Sequence, residues 1–484
     1  MMARNLTLLT DLYELTMMQG YFKTGNNRKV IFDAFYRNNP CDGGYAICCG
    51  LEQVIDYIKN LHFTDEDVEY LRGLNIFDED FLDYLANFHF SGDIYAIPEG
   101  TVVFPREPLI KVIAPIMEAQ LVETAILTII NHQSLIATKA ARVCYAAKGD
   151  GIMEFGLRRA QGPDAGIYGA RAAVIAGCIG TSNVLTGQLF DVPVKGTHAH
   201  SWIMSFEDEY TAFKTYADLY PGACILLVDT YDTLRSGVPN AIKVFTEMRE
   251  AGVLHKGYGI RLDSGDLAYL TKKARKMLDA AGFTDAVISA SSDLDEYLID
   301  SLKAQGAAIT SWGVGTNLIT SKDNPAFGGV YKLAAVMGDD GHFIPKIKLS
   351  ENSEKITNPG NKTVYRVYDN EGKIKADLIA LVGETYSEDE PLLLFDPIET
   401  WKKTLLEPGE YTLREIVVPV FKSGECVYTS PNVMDIRDYC QKEQNTLWDE
   451  SRRLVNPQEV HVDLSKPLYD VKQELLNSYS LKVR

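Results

Sequence analysis

The sequence predicts an α/β protein centred on a barrel of parallel βαβ units. Two observations carry this expectation. From about Gly151 to Val336, short apolar runs alternate with amphipathic helical segments, and each run ends in a polar or glycine-rich tail. Strands and helices alternating over such a length form parallel units, closed as a barrel or wound as an open sheet. The flanking segments lack this alternation and mix helices with short, proline-punctuated strand patterns, as α+β structure does. With 484 residues, 46% of them hydrophobic, the chain can bury more than one core. The expected divisions are an N-terminal α+β domain over residues 1–125, an α/β barrel over 126–345 and a C-terminal module over 346–484.

In chain order, Leu6 to Tyr21 has a helical pattern, Val30 to Tyr36 alternates like a strand, and Leu51 to Ile58 returns to helical spacing. Thr64 to Leu85 is acidic and helical, and Tyr95 to Ile97 and Val102 to Phe104 are β-prone pieces between prolines. Leu121 to Ala137 is apolar enough for a buried helix. It contains Glu123, Asn131, His132 and Gln133, and is too polar and too short to cross a bilayer.

The expected parallel strands are Ile152 to Phe155, Val192 to Lys195, Cys224 to Val228, Tyr258 to Leu262, Ala286 to Ser289 and Ala308 to Trp312. Helical patterns separate them at Tyr168 to Cys178, Phe206 to Leu219, Ala241 to Ala251, Leu267 to Ala281 and Leu294 to Ala304. Beyond Pro345 come Lys346, Lys348, Lys355 and Lys362, then strand patterns at Tyr365 to Tyr368, Leu378 to Val382 and Val417 to Phe421. Helices are expected near Val433 to Gln444 and Leu468 to Leu476. Lys346, Lys348 and Lys362 read either as a cover for phosphates or as a solvated basic face.

A formal charge of −18 opposes nonspecific attraction to nucleic acid or anionic membrane. Arg4, Asp11 and Glu14 interrupt the first nineteen residues, which therefore lack a secretory apolar core. Eight cysteines are scattered, with only Cys48 and Cys49 adjacent and no C-x-x-C spacing. A reducing, cytoplasmic setting is expected.

Parallel α/β folds bind ligands at the carboxyl ends of their strands, so the polar tails should share one rim. Arg158 and Arg159 there offer two planar cations ahead of a helix, as an anchor for phosphate or pyrophosphate or as a surface ion pair. Gly313-Val314-Gly315-Thr316 lets backbone N–H groups close around an oxyanion, although ordinary turns use glycines too. Arg261-Leu262-Asp263-Ser264-Gly265-Asp266 puts two carboxylates in a strand-to-helix turn. They can accept ribose hydroxyls or hold the water shell of Mg²⁺, or Asp263 or Ser264 can simply cap the next helix. His198 and His200, two apart in an extended tail, would point the same way. No third ligand has zinc spacing, which leaves a catalytic or phosphoryl-accepting imidazole, or a buried structural histidine.

Six ordered motifs then resemble the nicotinate phosphoribosyltransferase family. They are Asp11-Leu12-Tyr13-Glu14-Leu15-Thr16-Met17, Glu154-Phe155-Gly156-Leu157-Arg158-Arg159-Ala160-Gln161-Gly162-Pro163, Gly180-Thr181-Ser182-Asn183, Gly196-Thr197-His198-Ala199-His200-Ser201, the Arg261 to Asp266 run and the Gly313 to Thr316 run. The resemblance implies an irregular α/β barrel of the type II phosphoribosyltransferase kind. It adds an α+β sandwich-like domain formed by the N- and C-terminal segments, the C-terminal module packing back on the N-terminal domain. It further implies a homodimer with the active site at the interface, and the substrates nicotinate and phosphoribosyl pyrophosphate.

Carried over by resemblance, Tyr13 of one copy and Phe155 of the other would sandwich the pyridine ring, with Ser182, Thr197 and Arg261 also contacting nicotinate. The alternative for Tyr13 is a core aromatic. Arg158, Arg159, Ser292, Asp293, Gly313, Gly315 and Thr316 would hold phosphate or pyrophosphate. Asp263 is a catalytic candidate, and Mg²⁺ would enter mainly with substrate, with Asp263 and Asp266 as candidate ligands. ATP would be a co-substrate whose γ-phosphoryl passes to His200, while His198 matches no functional position. In the similar nicotinamide-using enzyme the position of Ser182 carries an aspartate, which would repel a carboxylate substrate. That same-class activity is the nearest alternative. A barrel lyase or glycosidase working on a phosphorylated sugar through Asp263 and Asp266 is a second, and a non-catalytic scaffold a third.

Overall fold

The computed structural model describes residues 5–350 and 355–480, and all structural statements concern these. The chain forms two compact units: Met1–Leu135 together with Ala326–Arg484, and Ile136–Pro325. The division falls within the helix Glu123–Ala146.

In the unit Ile136–Pro325, six parallel strands are ordered Gly180–Thr181, Gly151–Glu154, Ser311–Val314, Val287–Ala290, Gly259–Leu262 and Ile225–Leu227. Ile152, Leu226, Ile260, Ile288 and Trp312 are buried. Such short apolar strands suit a parallel sheet, which is covered on both faces. The helix Leu267–Ala280 buries Leu267, Ala268, Thr271, Ala274 and Leu278, a spacing of three and four that makes one inward face. Side-chain caps start several helices: Asp266 accepts from the Tyr269 N–H at 2.9 Å and Asp295 from the Leu298 N–H at 2.7 Å.

One expected strand did not form. Val192 to Lys195 makes only an isolated parallel bridge, Val194 with Thr181, and the ladder place beside Gly151–Glu154 goes to Gly180–Thr181. Pro193 lies inside the expected run and has no N–H to give to a ladder.

The other unit joins both chain ends in one antiparallel sheet, ordered Phe343–Pro345, Val330–Met337, Lys29–Phe35, Ile110–Pro115, Asp93–Ala96, Val418–Lys422 and Glu425–Cys426. A second sheet is ordered Thr412–Glu415, Lys362–Tyr368, Ile374–Leu381 and His461–Leu464. The helix Leu51–Lys59 presents Leu51, Val54, Ile55 and Ile58 to a large apolar core that also holds Val30, Val112, Val364 and Val420. The first helix covers Leu12–Thr24, starting later than its apolar pattern.

Lys362 is neither a cover for phosphates nor part of a solvated face. It is buried, its Nζ lies 2.7 Å from Asp33 Oδ2, and it donates to the Gly360 carbonyl at 2.8 Å. A buried ammonium needs such partners. Lys346 and Lys348 lie between strands in the stretch after Pro345.

Candidate active site

The strand tails of the parallel-sheet unit meet around a cavity of about 580 Å³. It is lined by Phe155, Leu157, Arg158, Arg159, Ser182, Gly196, Thr197, His198, Ala199, Arg261, Asp263, Ser291, Ser292, Asp293, Gly313, Gly315 and Thr316. Of the site residues expected within this unit, only His200 and Asp266 are missing from the lining. His200 stands close by, as described below. Asp266 is committed to capping the helix Leu267–Ala280, so it is the cap in place of Asp263 or Ser264.

Phe155 follows the strand Gly151–Glu154, and its N–H donates to the Val314 carbonyl at 2.8 Å. Its ring occupies the space a side chain at Gly313 would need: a Cβ there would stand 2.5 Å from Phe155 Cδ2. Gly313 is thus a glycine for close packing. The next glycine, Gly156, is equally constrained, since a Cβ would come 2.5 Å from Ile319 Cβ and 2.8 Å from the Gly315 carbonyl oxygen.

Arg261 emerges from the strand Gly259–Leu262 and donates to the Thr197 hydroxyl. Its Nε is buried without a hydrogen-bond partner. Burial pulls the guanidinium below its ordinary value, while the Asp263 and Asp229 carboxylates act the other way. A buried, incompletely satisfied cation is one that an anionic ligand can complete. Arg158 and Arg159 lie in the single 3₁₀ turn Leu157–Arg159, exposed. Neither has an ion-pair partner among the described residues, so the surface-pair alternative does not apply. Ser292 sits at φ +118°, a backbone strain of the kind held at binding loops.

His198 and His200 diverge because the helix His200–Met204 begins between them. His198 is buried, its ring centroid 4.6 Å from that of Tyr216, and its Nε2 accepts from the Leu227 N–H at 3.4 Å. Burial lowers its pKa to about 4, so it is a neutral structural imidazole. His200 has Nδ1 3.0 Å from the Thr230 hydroxyl, and its Nε2 faces Asp229 Oδ1 at 4.0 Å and Asp263 Oδ2 at 3.9 Å.

Asp229 and Thr230 were not singled out by motif reading, although they form one of the strand tails. Asp229 is the buried hub of the acidic turn: its Oδ2 accepts from the Asp263 N–H at 2.8 Å and the Ser264 hydroxyl at 2.6 Å. Its Oδ1 has no hydrogen-bond partner. Ser291 donates its hydroxyl to Asp263 Oδ1. The signal for both residues was positional, a carboxylate and a hydroxyl directly after the strand Ile225–Leu227 and Val228.

Tyr13 belongs to the other unit. It is not a core aromatic, because 45% of its surface is exposed on the helix Leu12–Thr24. Burial of its hydroxyl and the neighbouring Glu123 carboxylate hold its pKa above the ordinary phenol value.

Family models match nearly the whole chain. Residues 8–131 match the nicotinate phosphoribosyltransferase N-terminal domain, 151–371 the nicotinate phosphoribosyltransferase family, and 361–472 its C-terminal domain. A Bacillus subtilis protein named nicotinate phosphoribosyltransferase is 46% identical over 99% of this chain and 97% of its own. The chain belongs to the nicotinate phosphoribosyltransferase family. A Homo sapiens relative of the same name is 32% identical over 97% of this chain and 96% of its own. The crystal structure of human nicotinic acid phosphoribosyltransferase superposes with a TM-score of 0.83 at 29% identity, covering 97% of this chain and 99% of that one. A nicotinate-nucleotide pyrophosphorylase structure from Pyrococcus furiosus, at 22% identity and a TM-score of 0.69, shares the fold over 91% of this chain and 96% of that one. Among the described residues no helix is long and apolar enough to cross a membrane.

Proposed function

We propose that the protein joins nicotinate to phosphoribosyl pyrophosphate in NAD salvage, giving nicotinate mononucleotide and pyrophosphate, and that ATP hydrolysis drives the reaction through a phosphorylated His200. The observation that carries the transfer reaction is the convergence on one cavity of Phe155, Ser182, Thr197 and Arg261 with Arg158, Arg159 and the Ser292, Asp293 and Thr316 loops, in a chain whose relatives bear that enzyme's name.

The pyridine nitrogen attacks C1 of the ribose while the bond from C1 to pyrophosphate breaks, through a cationic, sugar-like transition state. The protein supplies orientation and charge stabilisation, so it needs no nucleophile of its own. Phe155 offers a flat apolar face to the ring. Arg261 and the Ser182 hydroxyl favour the 3-carboxylate by charge-assisted bonding, whereas an aspartate at Ser182 would favour the amide. Arg158 and Arg159 are cations free to take the leaving diphosphate.

A magnesium ion arriving with the diphosphate would supply neutralisation of its charge. Asp263 fits that role better than Asp266, whose carboxylate is engaged at the helix cap.

At His200, the carboxylates near Nε2 favour the tautomer with its proton there. Nδ1, beside the Thr230 hydroxyl, then keeps the lone pair. That nitrogen takes the γ-phosphoryl of ATP, ADP departs, and water later cleaves the N–P bond to phosphate. His200 thus supplies drive and stays out of glycosidic bond making.

The parallel strands are read as part of an irregular α/β barrel, and the shared antiparallel sheet as part of a sandwich-like domain. Tyr13, exposed on its helix, suits a homodimer in which it stacks on the ring bound to a second copy. The setting is cytoplasmic.

The test is incubation of the protein with nicotinate and phosphoribosyl pyrophosphate, with and without magnesium ATP, and chromatography of the products. Pyrophosphate and nicotinate mononucleotide are expected, in greater yield with ATP; no nucleotide product would return the reading to a sugar lyase or glycosidase. With γ-labelled ATP, label should appear on the wild type and be lost in His200→Ala. Label that persists in the variant contradicts the phosphohistidine.

A further inference from the structure

A buried acid behind the cavity has no part in the chemistry above. Glu154 is fully buried at the end of the strand Gly151–Glu154 and has no ion-pair partner among the described residues. Burying a carboxyl without a cation is costly, and burial raises its pKa against the hydrogen bonds it receives. What it receives is specific. One oxygen, Oε1, accepts from the Gly156 N–H, and the other, Oε2, accepts from the Thr181 hydroxyl at 2.6 Å. The Thr181 oxygen in turn accepts from the Asn183 N–H at 3.0 Å, and the Glu154 carbonyl accepts from the Ser182 N–H at 3.0 Å.

Two residues of the cavity are therefore bracketed by one side chain. Glu154 and Gly156 flank Phe155; Thr181 and Asn183 flank Ser182. The strand Gly180–Thr181 is only two residues long, so its ladder alone gives little rigidity to the turn that carries Ser182. Phe155 is fixed from the other side by its N–H bond to Val314 and by Gly313 beneath its ring.

We propose that Glu154 is a positioning residue that locks the spacing between Phe155 and Ser182, and thereby sets affinity and selectivity for the pyridine substrate. This rests on the reading of the cavity as a nicotinate site. Glutamate suits the task because both groups it meets are donors, and its two oxygens span them at a fixed distance. Glutamine can reproduce both links, accepting from the Gly156 N–H and donating its amide to the Thr181 oxygen. Alanine reproduces neither.

The experiment is steady-state kinetics of Glu154→Ala, Glu154→Gln and Thr181→Val against wild type, with the thermal midpoint of each. Glu154→Ala should raise KM for nicotinate by about tenfold, the effect of losing the hydrogen bonds its carboxyl makes. Its KM for phosphoribosyl pyrophosphate should stay within about twofold, and its preference for nicotinate over nicotinamide should narrow. Glu154→Gln should restore the nicotinate KM. Thr181→Val, which keeps shape and loses one link, should shift the same KM by a smaller factor and serves if the alanine variant does not fold. An unchanged nicotinate KM, or equal shifts for both substrates in step with the thermal midpoint, overturns the inference and leaves the functional reading standing. A wild type that makes no nicotinate mononucleotide overturns the functional reading, and this inference with it.

Discussion

In the unit built from both chain ends, Arg366 is bonded to Asp377 at 2.6 and 2.9 Å and to Glu443 at 3.1 Å, and Lys362 is closed by Asp33. In the parallel-sheet unit, Arg158 and Arg159 stand exposed without ion-pair partners, Arg261 keeps an unpaired Nε, and Asp229 keeps an unpaired oxygen. The contrast is one of task, because away from the cavity the same parallel-sheet unit closes Glu296 with Lys139 at 2.6 Å and Arg142 at 3.1 Å. The buried cations Arg366, Lys362, Lys139 and Arg142 are met by carboxylates within the chain, whereas Arg158 and Arg159 at the cavity have none among the described residues. A buried pair is costly to break from one side, whereas an open cation costs little to the fold when removed.

That comparison is broken most sharply from the closed side. Arg366→Met leaves Asp377 buried without its cation and Glu443 with Arg414 alone, at 2.8 Å, and should lower stability by about 3–5 kcal/mol in chemical denaturation. Activity per folded molecule should be unchanged. A variant of wild-type stability would mean that the buried pairs do not support this unit.

The open side gives a smaller and opposite result. Arg261→Met should leave the thermal midpoint nearly where it was and raise KM for nicotinate roughly ten- to hundredfold, for about 1.5–3 kcal/mol of charge-assisted bonding. A fall in stability without a change in KM would place Arg261 among the structural cations.

Glu14 sharpens the comparison with a titration. Its carboxyl is buried, accepts from the Thr124 hydroxyl at 2.8 Å and N–H at 3.2 Å, and has no ion-pair partner among the described residues; burial raises its pKa from 4.5 to about 8. The folded state therefore holds this proton more tightly than the unfolded chain does. Its contribution to stability is fully present below about pH 4.5 and is lost as pH rises through about 8. Glu14→Gln should remove that loss, so the variant should gain on wild type between pH 5 and pH 9, in a comparison of midpoints at about unit intervals. Parallel curves would show that Glu14 does not titrate in this way.

Much of this site was legible because strand-to-helix tails are marked by composition. Arg158, Arg159, Asp263, Ser292 and Thr316 each follow an apolar run and precede a helical pattern, Arg261 stands at the end of such a run, and the parallel topology gathers them at the cavity. Their side chains did not have to be seen to be collected. Gly180–Thr181 escaped because two residues hold no alternation, and the more apolar Val192 to Lys195 drew the strand assignment despite Pro193. Asp229 was expected at the rim as a strand tail but given no role, because an aspartate after a strand looks like any cap, and its bonds to Asp263 and Ser264 span more than thirty residues of chain. Gly313 reads as a phosphate loop in sequence, yet its missing side chain makes room for Phe155, which only the packing reveals. His198 and His200 share a motif and part company because a helix starts between them.

The most direct test of the account is the ratio of kcat/KM for nicotinate to that for nicotinamide, measured on wild type at saturating phosphoribosyl pyrophosphate and magnesium ATP. The unpaired Arg261 and the hydroxyl of Ser182 predict that nicotinate is preferred by about a hundredfold or more, the equivalent of one charge-assisted contact. Equal values for the acid and the amide would contradict the reading of this cavity as a carboxylate site.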